Sequence, residues 1–223
     1  VNIKKHEELL LQYWQKDRPQ YIDFNRDGII DSEVWAQMNT HIVFIFKEMP
    51  GLNGDLRKII LDNPDRMYTK IRINLARWIH VMLFHEYREI LTEEEITALL
   101  QKVCIVNLKK ERDFKKSGRD EIWNYTLQDR RFIRKQIALY TPDYVVVCGF
   151  EWIAELVHDV VLADRSRWKH NINKIHYYNK WVGDCKATVI SMPHPRNASR
   201  VWGHQLQELM QNISADDRRA VNL

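Results

Sequence analysis

With 223 residues, 45% of them hydrophobic and eight of them tryptophan, the chain can bury a sizeable core, which argues against an intrinsically disordered protein. Cys104, Cys148 and Cys185 are an odd, widely spaced set that suits neither a disulfide framework nor a zinc site. A net charge of +4 permits a polyanionic partner without demanding one, and no apolar run approaches the ~20 residues of a membrane span. No secretory leader is visible, so a cytoplasmic protein without a membrane partner is expected.

Residues 1–40 read as a helical lead-in that contains DFNRDGIIDSEV, Asp23 to Val34. Asp23, Asn25, Asp27, Gly28 and Asp31 match an EF-hand loop. The twelfth position, which needs a bidentate carboxylate, is Val34, and Glu33 stands one residue early, about 100° away around a helix. The stretch therefore reads as an Asp-Gly turn with a helix cap at Asp31 or Ser32, and no metal is expected.

Four runs then read as buried parallel strands: HIVFIF (41–46), VCIVN (103–107), YVVVCG (144–149) and ATVISM (187–192). Each is mostly apolar on both faces, as a sheet covered by helices on both sides requires. Between them, 68–87 carry Ile71, Leu75, Trp78, Ile79 and Met82 at helical spacing. Thr92 and Glu95 form a capping box that opens a helix over 93–101. A long charged helix over 119–140 stops before Thr141-Pro142, and further helices follow over 151–162 and 202–213. The alternation predicts an α/β fold in one domain, 1–223: a three-layer α/β/α sandwich around a central, mainly parallel four-stranded sheet. In such sheets the ligand crevice lies outside the carboxyl ends of the strands. Those exits read KEMPGLNGD, NLKKERD, GFEW and PHPRNAS, three of them polar, charged or rich in Pro and Gly.

On these exits the chain resembles the uracil-DNA glycosylase superfamily. KEMPG (47–51) stands where members carry G-E-x-P-G or G-x-N-P-G after the first core strand. Asn107 in IVNLKK matches the Asn that ends the next strand, and His194-Pro195 in MPHPRNAS matches the H-P loop after the last. PDYVVVCG (142–149) looks like the strand that precedes that loop. RDGII resembles the lead-in of a bacterial and phage branch whose first strand ends in a K-E pair, so the correspondence covers about 41–200 in order. The chain departs from the pattern at Lys47, in place of Gly, and at Met49, where many active members carry Asp or Asn. Its H-P-R-N is two residues shorter than the H-P-S-P-R-N of the single-strand-selective branch. Three scattered cysteines cannot supply the four thiolates of the iron–sulfur branch.

The resemblance implies a DNA glycosylase: a hydrolase of base excision that flips a nucleotide and cleaves its N-glycosidic bond without a cofactor. The altered first motif points away from ordinary uracil and toward a modified pyrimidine, such as hydroxymethylated or glucosylated cytosine of phage DNA, and so toward anti-phage defence. His194 would donate to the base carbonyl that gains negative charge; otherwise it is a histidine held between two prolines. Asn107 would read the base edge, or else cap a turn. Glu48, with Asp55 as a substitute, would supply the carboxylate that orients water or stabilises the sugar cation, unless Glu48 pairs with Lys47 or Arg57. Pro50 and Gly51 would shape the turn beside Met49. Tyr68 would stack on the flipped base or belong to the core. Lys47, Lys109, Lys110, Arg196, Asn197 and Arg200 would face DNA, although a run of charges also makes an ordinary solvated surface. A non-catalytic nucleic-acid-binding module is the alternative function, with Met49 its main support.

Overall fold

The computed structural model describes residues 2–21, 23–48, 54–62, 66–112, 115–149, 152–163, 169–170 and 175–220. The lead-in forms helix α1 (Ile3–Asp17), a two-residue strand β1 (Gly28–Ile29) and the short helix α2 (Ser32–Trp35). The first apolar run is β2 (Ile42–Phe46), followed by α3 (Leu56–Asp62), α4 (Arg66–Phe84) and α5 (Glu93–Leu100). Both hydrogen bonds of the Thr92–Glu95 capping box are made. Strand β3 (Cys104–Asn107) leads to α6 (Arg119–Leu139), which ends ahead of Pro142 as expected. Strand β4 (Tyr144–Cys148) leads to α7 (Trp152–Leu156), which continues as a π-helical turn, Val157–Val161. Strands β5 (Lys169–His170), β6 (His176–Val182) and β7 (Cys185–Met192) precede a 3₁₀ turn, Pro195–Asn197, and α8 (Arg200–Ala220).

Among the described residues the strands form one mixed sheet in the order β1-β3-β2-β4-β7-β6-β5. Strand β2 is parallel to β3 and β4, and β4 is parallel to β7. Strands β1, β6 and β5 join antiparallel. Ile42, Phe44 and Phe46 point into a cluster with Leu56, Leu75, Ile79, Leu100 and Leu206, which come from α3, α4, α5 and α8. Val43 and Ile45 point the other way, toward Trp14 of α1, Phe132 and Ile137 of α6, and Leu156 of α7. This alternation is the period-two pleat of a strand buried on both faces.

The mixed α/β class agrees with the sequence, but a sheet of only four strands is too small. The sequence does not announce β6, whose outward positions Asn179 and Trp181 break the apolar run, nor the two-residue strands β1 and β5. Cys148 and Cys104 lie in the clusters on opposite faces of the sheet, so they cannot share a metal cluster.

The oxygens of Asp23–Val34 have other work. Asp31 caps α2, accepting from Glu33 N at 2.9 Å and Val34 N at 3.1 Å, as one of the two expected caps. Asp27 is fully buried against the Lys110 ammonium, and Asp23 pairs with Arg112 at 3.3 Å. The expected Asp-Gly turn is instead the start of β1: Gly28 pairs with Ile105, and its φ of +125° and the 2.1 Å that would separate a Cβ from Glu7 Oε1 both call for glycine.

Candidate functional site

The carboxyl ends of the four parallel strands are in register. Phe46 pairs with Asn107, and Cys148 pairs with Met192. The ladder continues past the strand ends, with Leu108 N donating to Phe46 O at 2.8 Å and Lys109 N to Lys47 O at 3.0 Å. Gly149 N donates to Met192 O at 2.8 Å. Lys47, Glu48, Asn107 and His194 therefore leave the sheet from one edge of its parallel core.

Phe46 links the two halves of this edge. It is the strand partner of Asn107 and lies edge-on to the His194 ring, with centroids 5.6 Å apart. His194 opens the 3₁₀ turn, and its Nδ1 accepts from Arg196 N at 3.2 Å. That acceptor role leaves the imidazole proton on Nε2. Burial, and then the positive charges of Lys116, Arg196 and Lys47, lower the His194 pKa to about 4. The ring is therefore a neutral donor at physiological pH in a cationic surrounding. Asn74 of α4 fixes the same loop from below, its Nδ2 donating to Pro195 O at 2.7 Å and Ala198 O at 3.2 Å.

Asn107 is buried, and its backbone N donates to Asp27 Oδ2 at 2.7 Å. Its side-chain Oδ1 is enclosed and has no hydrogen-bond partner among the described residues. An orphaned acceptor at that depth costs roughly 1–3 kcal/mol, so its retention calls for an explanation.

Glu48 is also buried, and Ser117 organises its surroundings. Ser117 N donates to Glu48 Oε1 at 2.9 Å, and Lys47 Nζ reaches the same oxygen at 2.7 Å. Lys47 Nζ also donates to Ser117 O at 2.9 Å. Lys109 Nζ donates to Ser117 Oγ at 3.0 Å, pairs with Glu121 and lies 4.6 Å above the Tyr125 ring. The segment before α6 is thereby tied down across the exits of β2 and β3.

Other sequence candidates lie elsewhere. Lys110 is fully buried; its Nζ donates to Asp27 Oδ1 at 2.7 Å and to Gln136 Oε1 at 3.0 Å, so it faces the interior rather than a phosphate. Burial lowers its pKa, with Asp27 opposing that shift. Lys109 is 2% exposed, which also removes it from the solvent surface. Asp55 is held by Arg57 through Nε at 2.7 Å and Nη2 at 2.6 Å, and Arg57 also binds Glu7 at 2.7 Å. This network lines a pocket with Lys4 and Ile29 beside β1, at the sheet margin, so Asp55 is no substitute for Glu48. Tyr68 is 3% exposed and belongs to the core cluster of Phe46 and Leu56, where no base can stack on it. Arg196 and Asn197 are exposed in the His194 loop, and Arg200 is exposed while pairing with Glu89 at 3.4 Å. Met49, Pro50 and Gly51 lie outside the described residues.

Ser117 and Asn74 escaped the sequence reading. Ser117 immediately precedes Gly118, the N-cap of α6, and that small-residue helix start was the available signal. Asn74 lies within an apolar helical pattern, and a polar residue on a buried face was its signal. No protein-family model matches the chain, and no curated protein matches it.

Proposed function

We propose that the chain is a DNA glycosylase on an α/β/α sandwich of the uracil-DNA glycosylase kind, and that it releases a pyrimidine base from DNA. The observation that carries this reading is the buried, unpartnered Oδ1 of Asn107 on the same strand-exit edge as a neutral His194 donor. A flipped pyrimidine supplies the missing donor: N3–H of a uracil ring, or the exocyclic amine of a cytosine ring. His194 Nε2–H then faces the base carbonyl on which negative charge grows as the C–N bond breaks. Lys47, Lys116 and Arg196 add a positive field there. Among the described residues the contacts to Glu48 fall on Oε1, and Oε2 would orient the water that attacks the sugar carbon. A modified cytosine in phage DNA suits the departure at the first motif, and a defence role follows from that substrate.

The Lys47–Glu48 ion pair favours a second reading, a nucleic-acid-binding module, because the carboxylate charge is already neutralised. One experiment separates the two. The protein is incubated with oligonucleotides and phage DNAs that carry uracil, cytosine, hydroxymethylcytosine or glucosylated hydroxymethylcytosine. Alkaline strand cleavage and mass spectrometry then report abasic sites and free bases. Release of one pyrimidine supports the glycosylase; retention of DNA with no base released from any substrate supports the binding module.

A further inference from the structure

Strands β1 and β3 fall out of step just beyond their pairing. Gly28 pairs with Ile105, and the next bridge between the two segments is Phe24 with Glu111. Three residues, 25–27, therefore face five, 106–110. The two extra residues make a bulge at the exit of β3, and Asn107 stands on it. Such a bulge interrupts the ladder and re-aims the side chains it carries. On the β2 side the interruption shows as consecutive donors, Leu108 N to Phe46 O and Lys109 N to Lys47 O, where a regular strand uses alternate residues. Pairing with the lead-in resumes at Asn25 N, which donates to Lys110 O at 2.7 Å.

Asn107 N has no strand carbonyl to meet on the lead-in side, and a side chain takes that place: Asp27 Oδ2 accepts from it at 2.7 Å. The other oxygen, Oδ1, accepts from Lys110 Nζ at 2.7 Å and Gln136 Nε2 at 2.9 Å. The carboxylate thus spans the bulge from Asn107 to Lys110. Asp27, Lys110 and Gln136 are all fully buried. Behind them Gln136 Nε2 donates to Tyr140 OH at 3.0 Å, and Tyr140 OH donates to Glu7 Oε1 at 2.7 Å. Fold stability alone does not call for this arrangement, because apolar residues of similar volume often serve a core as well as a buried ion pair does.

We propose that Asp27 is a positioning residue of the strand-exit site: it braces the bulge that aims Asn107 at the base, and so sets the precision of base choice. The inference rests on the glycosylase reading of Asn107, whereas the bracing itself does not. Asp27 touches no substrate and acts through the Asn107 backbone. A base reader displaced by ~1 Å loses on the order of 10²-fold in rate. A misaimed amide also discriminates poorly between the donor and acceptor positions of a pyrimidine edge.

Two double variants separate bracing from charge. The first, Asp27→Leu with Lys110→Met, removes the buried ions and the acceptor together. The second, Asp27→Asn with Lys110→Met, removes the ions and keeps an oxygen for Asn107 N. Single-turnover base release is measured for both, on the preferred DNA and on DNA carrying a competing pyrimidine, alongside DNA affinity, urea unfolding and crystal structures. The first variant is expected to release base about 10²-fold more slowly, to lose most of its preference between the two pyrimidines, and to bind DNA as the wild type does. The second should recover most of the rate and the preference. In an Asn107→Ala background the first pair of substitutions should add no further loss, since Asp27 acts only through Asn107. Equal rates and preferences in the two variants overturn the inference, and so does an undiminished further loss in the Asn107→Ala background. A wild type that releases no base sinks the glycosylase reading instead. The crystals then decide the bracing: Asn107 shifted in the first variant alone upholds it, and Asn107 unmoved in the first variant overturns it.

Discussion

At the residue scale, the His194 ring combines a depressed pKa with a defined tautomer. Its folded pKa of about 4 lies below the ordinary value near 6.5, so between those values the unfolded chain binds a proton that the folded protein does not. Stability therefore falls as pH drops from about 6.5 toward about 4, and His194→Gln should remove that part of the acid sensitivity. Nitrogen-detected NMR should find Nε2 protonated, Nδ1 unprotonated and no titration of this ring between pH 5 and 8. A midpoint near 6.5 would mean that the ring is solvated and free of Arg196 N. The strand-exit placement of Asn107 and His194 was legible in the sequence because the first ends an apolar run and the second follows one closely. Lys109 and Lys110 were not, because adjacent lysines after a strand look alike whether they face water or an interior carboxylate. Only the fold reveals that Asp27, 83 residues away, waits behind Lys110.

At the element scale, the Asp27–Lys110 pair joins the lead-in to the loop after β3. Asp27 accepts from Asn107 N, Lys110 Nζ and Gln136 Nε2, so one carboxylate holds both the end of β3 and the face of α6. Removing one partner leaves a buried charge uncompensated. Lys110→Ala should cost about 3–5 kcal/mol in urea unfolding, and Lys110→Met with Asp27→Asn should cost less. Equal losses in the two variants would show that lost packing, not the stranded charge, sets the cost. The calcium-like spacing of Asp23–Val34 was a true signal of ordered carboxylates. The same residue types serve a cap, a buried ion pair and a surface ion pair. Capping at Thr92 was legible because it depends on residues three apart, whereas the Ser117 contacts with Glu48 and Lys47 connect segments some 70 residues apart.

At the scale of the whole molecule, the parallel strand pairs could be read from the alternation of apolar runs with amphipathic segments. The antiparallel margin could not. Strand β6 is partly solvated and its alternation is diluted by Tyr177, Asn179 and Lys180, while β1 and β5 are too short to carry a period. No helix among the described residues is long and apolar enough to cross a membrane. If the proposed site takes DNA, the interior placement of Lys109 and Lys110 leaves the electrostatic contribution to residues such as Arg196 and Lys116, both exposed. Binding should weaken as salt rises, and Arg196→Gln should reduce the slope of log affinity against log salt by about one. An unchanged slope would place Arg196 away from the phosphates.

The central claim is that one strand-exit site both reads and releases a pyrimidine. It is tested most directly by single-turnover base release from the preferred DNA, with binding measured in parallel, for wild type and His194→Ala. The account predicts a rate loss of about 10²–10³ with DNA affinity nearly unchanged, because the lost hydrogen bond strengthens as the base departs. A His194→Ala protein that releases base at the wild-type rate, or one whose loss is wholly in affinity, would contradict it.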